Sequence, residues 1–474
     1  MSWRGFVQMR WHRQALAVCV IAFLVRFGYL VGTGQIDDPP PPYNEQVRIA
    51  RYLLHGTGFV SPVGPERHDP SSWYAPGYIA IIAAIFRMFG EDSTAAWVAM
   101  RVVNLSAHAA ALAIWVVVAR YLLGRRTAAM AAVLMILSPA ISREAAGIWD
   151  TYVAMLGGAV CVAVFVLRRL RTVAAQLFAG ALCGLVANVN PCFTFCYPVW
   201  YVWNRRRYSE RSEVGRRRAD THAAPDGRGR QRFTGRFVWS LIPLLIGFGA
   251  VITPWTLRNR VVFGEWFYMR GNLGLEMWVG AAPWSDGSFF AYHGGRVHPV
   301  FDQAQARRLV QRGEHQYFKD CMQEALTWWR AEPWRVLGSC ARRVKWFWIG
   351  RYPPGQSWAV RGLKIVGLTL VGLLALAGAV HCVLCRRECW ILLGTMLIFP
   401  LPYYTTVLAV RYRVPLEPVL LLMAAWLLCE SRLFQRHAPA PNVQAVPITT
   451  NQGQATPTTE SLSRHSCDTG FISA

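Results

Sequence analysis

The sequence predicts an all-α fold, a polytopic integral membrane protein with about ten transmembrane helices. Three observations carry this prediction. Apolar runs of membrane-crossing length recur along most of the 474 residues. Charged residues make up only 16% of the chain, against about a quarter in an ordinary soluble protein. Mean hydropathy is +0.24, and no β-barrel alternation of apolar and polar residues accompanies it.

The expected spans are 14–33, 96–119, 127–142, 151–168, 174–189, 191–203, 237–255, 361–384, 388–406 and 412–430. The first runs on without a small-residue cleavage pattern, so it is expected to remain as an anchor. Between the spans lie basic segments. They are "MSWRGFVQMRWHR", "GRR" at 124–126, "RRLRT" at 168–172, the stretch from "NRRRYSERSEVGRRR" to about 235, "CRRE" at 385–388 and "ESRLFQRH" at 430–437. All fall on one side of the predicted topology, and the positive-inside rule makes that side cytoplasmic, with both termini there. "PGYIAIIAAIFRMFG" at 76–90 is apolar but too short to cross, and counting it would invert every later segment. It is expected to lie in the interface or re-enter. Residues 44–54 form a second short amphipathic stretch in the same outer loop.

The organisation follows. Residues 1–203 form an N-terminal transmembrane half that holds the first outer loop, 34–95. A flexible basic cytoplasmic loop covers 204–236, and one transmembrane helix covers 237–255. A large helical outer loop covers 256–360, C-terminal transmembrane helices cover 361–430, and a disordered tail covers 431–474. Trp328, Trp329, Trp334, Trp346 and Trp348 give the large loop an interfacial belt.

The net charge of +24 is almost all arginine, with lysine only at Lys319, Lys345 and Lys364. Much of it lies in short segments between apolar runs, where it orients helices, so a nucleic-acid partner is not expected. Cys19, Cys161 and Cys183 sit inside apolar runs as small hydrophobes. Cys382, Cys385 and Cys389 bring three thiols to one helix end, one short of a closed zinc site, and read better as membrane-edge cysteines.

Charged residues at a helix mouth are expensive and therefore candidates for function. The outer side collects the acids Asp37, Asp38, Glu45 and Asp150 with Arg258, Arg270, Arg411 and Arg413. A carboxylate can take a proton from an acceptor hydroxyl, and a guanidinium can hold a phosphate leaving group. Each acid also has a plainer reading. Glu45 fits the solvated face of a short helix, and Asp150 fits an N-cap in "WDTYVAML". Asp37 and Asp38 fit solvated acids before a stiff proline spacer. Arg411 and Arg413 fit side chains that snorkel to headgroups. Arg26 is expected to pair inside the bundle, and His68 and His293 to be solvated.

The motif order resembles a known family. "YNEQVRIARYLLHGTGF", "WYAPGYIAIIAAIFRMFG", "GIWDTYVAML", "ITPWTLRNRVVFGEWFYMRGNLGLEMWVGA" and "YYTTVLAVRYRVPLEP" are together similar to the bacterial GT-C glycosyltransferases near family 39 and the protein-mannosyltransferase-like membrane proteins. The likeness covers most of residues 15–430. It implies an inverting enzyme of the bacterial inner membrane. The implied reaction moves a sugar from a polyprenyl-phosphate donor to a glycan, lipid or protein acceptor on the outer face. By position it implies Glu45 as the catalytic base and Asp150 as a second acid that orients the acceptor or helps hold a divalent cation. Arg411 and Arg413 would face the donor phosphate, assisted by Arg258. Asn44, Tyr74, Pro76 and Tyr404 would line the substrate region. Many relatives carry an Asp-Glu pair where this chain has Asn44-Glu45, which removes one oxygen ligand from a divalent cation. The rival readings are a lipid-linked glycan transporter or flippase, which would show paired repeats and broken helices, and a non-catalytic membrane assembly partner.

Overall fold

The computed structural model describes residues 11–64, 68–207, 229–285, 298–351, 357–385 and 389–430. The expected disordered tail, His293, the greater part of the basic cytoplasmic loop and most of the N-terminal basic segment lie outside the described residues. Regular structure is helical throughout, and the described residues contain one isolated bridge, Val60 to Pro70, and no strand.

Helix α1 (Trp11–Gly32) leads to two helices of the first outer loop, α2 (Glu45–Leu54) and α3 (Pro76–Phe89). Then come α4 (Thr94–Leu123), α5 (Arg125–Leu137), α6 (Thr151–Leu167), α7 (Val173–Ala187) and α8 (197–207). Helix α9 (Gly229–Phe263) returns through the bundle. The large outer loop folds as α10 (Leu273–Ala281), α11 (Gln303–Arg312), α12 (Glu314–Ala331) and α13 (Pro333–Ile349). Helices α14 (Trp358–Leu384), α15 (Trp390–Ile398) and α16 (Glu417–Glu430) close the bundle. Among the described residues, five helices are long and apolar enough to cross a membrane. They are α1, α4, α9, α14 and the run Val410–Glu430. Shorter apolar helices lie between them, among them α6 and α7. The chain is thus a helical, multi-pass membrane protein.

Several elements differ from expectation. Helix α9 runs to Phe263 rather than stopping at 255, through Pro243 and Pro254. Proline is tolerated inside a membrane helix because neighbouring groups re-satisfy the freed carbonyls. Arg258 and Asn259 therefore stand on a helix and not in a loop. The expected span 191–203 starts as a 3₁₀ turn, Pro191–Cys196. The span 388–406 breaks at Pro400 into α15 and a short helix, Leu401–Thr405. Cys382 and Cys389 form a disulfide, which leaves Cys385 as the free thiol of that cluster.

Two apolar cores result. The larger is the bundle core, where α4 lies along α1 and α6, and α14 along α16. Arg26 is fully buried there and donates to the carbonyls of Met135 and Ile136, so it pairs inside the bundle as expected. Packing between α7 and α9 is close. A Cβ at Gly180 would meet the Leu244 carbonyl oxygen at 2.0 Å, and one at Gly247 would meet that of Leu177 at 2.1 Å. Small residues let the two backbones touch, which is how membrane helices gain packing where lipid offers no hydrophobic drive. The smaller core is a cap. It joins α2, α3 and the start of α4 to α10, α11, α12 and α13 through Ile79, Phe86, Trp97, Leu275, Tyr317 and Val336. The two outer-loop helices predicted from 44–54 and 76–90 are thus built into the cap, each with one face buried.

Candidate active site

The seam between bundle and cap holds a cavity of about 490 Å³. Local rules place its walls. Asn44 caps α2, its Oδ1 accepting from the Val47 amide at 3.1 Å, so Glu45 opens the helix. The Asn44 amide also donates to the Ile148 carbonyl at 2.9 Å. One side chain therefore ties the first loop to the turn that presents Asp150, two residues on. Asp150 stands at the N-terminus of α6, its side chain making no capping bond, and lines the cavity with Tyr74.

The opposite wall comes from the segment after α9. Met269 is fully buried with φ of 40°, a left-handed conformation costly for a bulky residue. Trp255 Nε1 donates to its carbonyl at 2.9 Å and holds the turn. The turn aims Arg270 inward, where its Nε donates to the Trp73 carbonyl at 3.0 Å and its guanidinium lies 4.6 Å from the Tyr74 ring centroid. Arg411 enters from the 3₁₀ turn Val410–Leu416, stacked 3.8 Å over the Trp149 ring. Glu276, in the first turn of α10, completes the charged ring. Asp150, Arg270, Glu276 and Arg411 are each half-buried and face the cavity.

The electrostatics follow from burial. Burial pushes the Asp150 carboxyl above its usual range, against Arg270, Arg411 and a hydrogen bond from Gln46. Burial raises Glu276 likewise, opposed by Arg270 and Arg411. Burial also raises Glu45, opposed by its own helix amide and by Arg411. For Arg270, burial works against the charged form, but Tyr74, Glu276, Tyr412 and Asp150 together more than offset it and raise the pKa. The site is a low-dielectric chamber in which burial favours the neutral acids and the guanidiniums oppose that shift.

Predicted site residues divide into four sets. Asp150, Arg411 and Tyr74 come together on the cavity wall. Glu45 is not on that wall. It is 3% exposed, stands behind Tyr74, and accepts from the Tyr74 hydroxyl at 3.5 Å. It is therefore neither a solvated surface acid nor a group in the open cavity. Asn44 is a buried cap and tie, Pro76 occupies the first turn of α3, and the Tyr404 hydroxyl accepts from Trp348 Nε1 at 2.8 Å. None of these three lines the cavity.

Arg413 and Arg258 are corrections. Arg413 is buried, pairs with Glu417 at 2.8 Å and donates to the carbonyls of Phe347, Trp348 and Leu368. Its Nε and Nη1 join α13, α14 and α16, and it does not line the cavity. Arg258 donates to the Ser71 carbonyl at 2.9 Å and lies 4.9 Å from the Trp255 ring centroid. It fastens α9 to the first loop. Arg270 stood among the outer-side arginines without an assigned role, and Glu276 is a residue the sequence reading left out of the site. Glu276 carried a signal, as the one charged residue in the apolar run "LGLEMWVGA".

The chain is similar to two solved structures over about 90% of its length. It is similar to the archaeal oligosaccharyltransferase AglB from Archaeoglobus fulgidus, in complex with an inhibitory peptide and a dolichol-phosphate. That match has 11% identity and a TM-score of 0.44 over 90% of this chain and 51% of that one. The chain thus spans about half the length of that protein. It is also similar to ArnT from Cupriavidus metallidurans bound to undecaprenyl phosphate. Here identity is 12% and the TM-score 0.36, over 90% of this chain and 78% of that one. No family model and no curated protein matches the chain. Likenesses at these scores describe architecture alone, so the functional reading stands on the cavity.

Proposed function

We propose that the chain is a membrane glycosyltransferase. It moves a sugar from a polyprenyl-phosphate donor to an acceptor hydroxyl of a glycan, lipid or protein on the outer face of the bacterial inner membrane. The observation that carries this reading is the pairing, in one chamber at the seam, of cavity-facing carboxylates with the guanidiniums of Arg270 and Arg411. Two guanidiniums suit a phosphate leaving group, whose developing charge they offset in a low-dielectric site. A carboxylate suits the acceptor proton. Attack from the side opposite the departing phosphate gives inversion at the sugar carbon.

Roles follow position. Arg411 and Arg270 take the donor phosphate. Asp150 orients the acceptor. Glu45, behind the wall, holds Tyr74 and Arg411 in place by hydrogen bond and charge. Among the described residues no group of three or more His, Cys, Asp or Glu side chains gathers to hold a metal ion, so no step is routed through the divalent cation that the family resemblance implies.

The test is transfer by the purified full chain in lipid nanodiscs, from radiolabelled undecaprenyl-phosphate sugars to a host envelope extract. Wild-type transfer that Arg411→Ala and Arg270→Ala each abolish supports the reading. Donor movement between leaflets without transfer would replace it with the flippase.

A further inference from the structure

The proton acceptor in this reaction is left open by the placement of Glu45. Three carboxylates lie at or just behind the charged ring, and their surroundings differ. Glu45 is sealed behind Tyr74, whose hydroxyl occupies one of its oxygens. Asp150 faces the cavity but is engaged by the Gln46 side chain. Glu276 faces the cavity and is held from one side only, by Asn272 Nδ2, which donates to Oε1 at 3.0 Å. Asn272 is itself buried, so this bond fixes the carboxylate's orientation. Among the described residues nothing hydrogen-bonds the second oxygen.

From this geometry, and resting on the transferase reading above, we propose that Glu276 is the catalytic base. Its free oxygen accepts the proton of the acceptor hydroxyl. The acceptor oxygen forms the new bond to the sugar carbon, and the bond from that carbon to the phosphate oxygen breaks. The bonding pair leaves with the polyprenyl phosphate, which Arg270 and Arg411 receive. The proton ends on Glu276 and returns to water through the cavity mouth.

The charged and titratable groups facing Glu276 agree with the assignment. Arg270 and Arg411 feel its charge from two other segments, and so do Tyr412, Cys192 and Glu45. The guanidiniums favour the ionised carboxylate, while burial raises its basicity.

The experiment compares Glu276→Gln, Glu276→Asp and Glu45→Gln with wild type in nanodiscs. Undecaprenyl-phosphate-linked glucose, mannose and galactose serve in turn as donors, with host envelope extract as acceptor. Undecaprenyl phosphate binding and the melting temperature are measured on each variant. The expected result is a loss of about 100-fold or more in kcat for Glu276→Gln, with undecaprenyl phosphate binding and melting temperature kept. The acidic limb of the kcat–pH profile should vanish in that variant and persist in Glu276→Asp at a reduced rate. Wild-type kcat in Glu276→Gln overturns the proposal. So does loss of the acidic limb in Glu45→Gln alone, or loss of rate together with donor binding. Wild type that transfers from none of the donors sinks the transferase reading itself and this one with it.

Discussion

At the scale of single residues, two arginines two positions apart have opposite fates. Arg411 and Arg413 look alike in "AVRYRVP". The 3₁₀ turn sends the first into the cavity and the second into the bundle, beside Glu417. Removing one member of a buried ion pair strands the other charge, at a cost of about 3–5 kcal/mol. Arg413→Met is therefore expected to lower the melting temperature in detergent sharply. Arg411→Met should melt near wild type and lose binding of undecaprenyl phosphate. If the two variants melt alike, the division of labour drawn here is mistaken. Asn44 gives a smaller, graded effect. Asn44→Ala removes the α2 cap, worth about 1 kcal/mol, and cuts the tie to Ile148. Activity should fall further than stability, because that tie sets Tyr74 and Glu45 against Asp150. Local sequence made Asp150 and Arg411 legible, since acids and arginines at helix mouths are conspicuous. It did not separate Arg411 from Arg413, which depends on the sense of one turn. It passed over Glu276, whose flanking residues are apolar and whose charged partners lie in other segments.

At the scale of elements, the node at Ser71 and Ser72 joins three parts of the chain. Glu314 opens α12 and accepts from the Ser71 hydroxyl at 3.0 Å and the Ser72 amide at 2.6 Å. Arg258 of α9 donates to the Ser71 carbonyl. Burial pushes the Glu314 carboxyl up to about 7, and its serine and amide donors offset only part of that rise. A folded-state pKa above the unfolded value of about 4.3 means that the protonated form is favoured by folding. That contribution is full below pH ~4 and fades as pH climbs through about 7. The cap is expected to melt at a lower temperature at pH 8.5 than at pH 5.5, and Glu314→Gln should flatten this dependence. A slope unchanged by Glu314→Gln would assign it elsewhere. The α7–α9 contact makes a second element-scale prediction. Gly180→Leu must push the helices apart, since the Leu244 backbone occupies the place a side chain would need. Its stability should fall by more than the same change at Gly249, where nothing lies within 4 Å. Helix periodicity made these elements legible to within a few residues. The run of α9 past Pro254 was not, because proline signals a stop in water and is tolerated in lipid.

At the scale of the whole molecule, hydropathy and the arginine pattern foresaw a bundle with one elaborate side, and the structure has such a cap. The predicted topology puts residues 220 and 300 on opposite faces of the membrane. A reporter active only in the cytoplasm should work when inserted at 220 and fail at 300, and activity at both would discard the topology. The cap also carries a consequence for how the protein is born. The chamber draws Tyr74 from the first loop, Asp150 from the middle and Arg411 from the last turn before α16. Ser71 waits for Glu314, 243 residues later. At about 5–20 residues per second, the early loop spends many seconds outside the membrane with its partners still unmade. Until Arg411 has left the ribosome, the charged ring lacks one of its two guanidiniums. The chamber is therefore complete only when nearly the whole chain has been made.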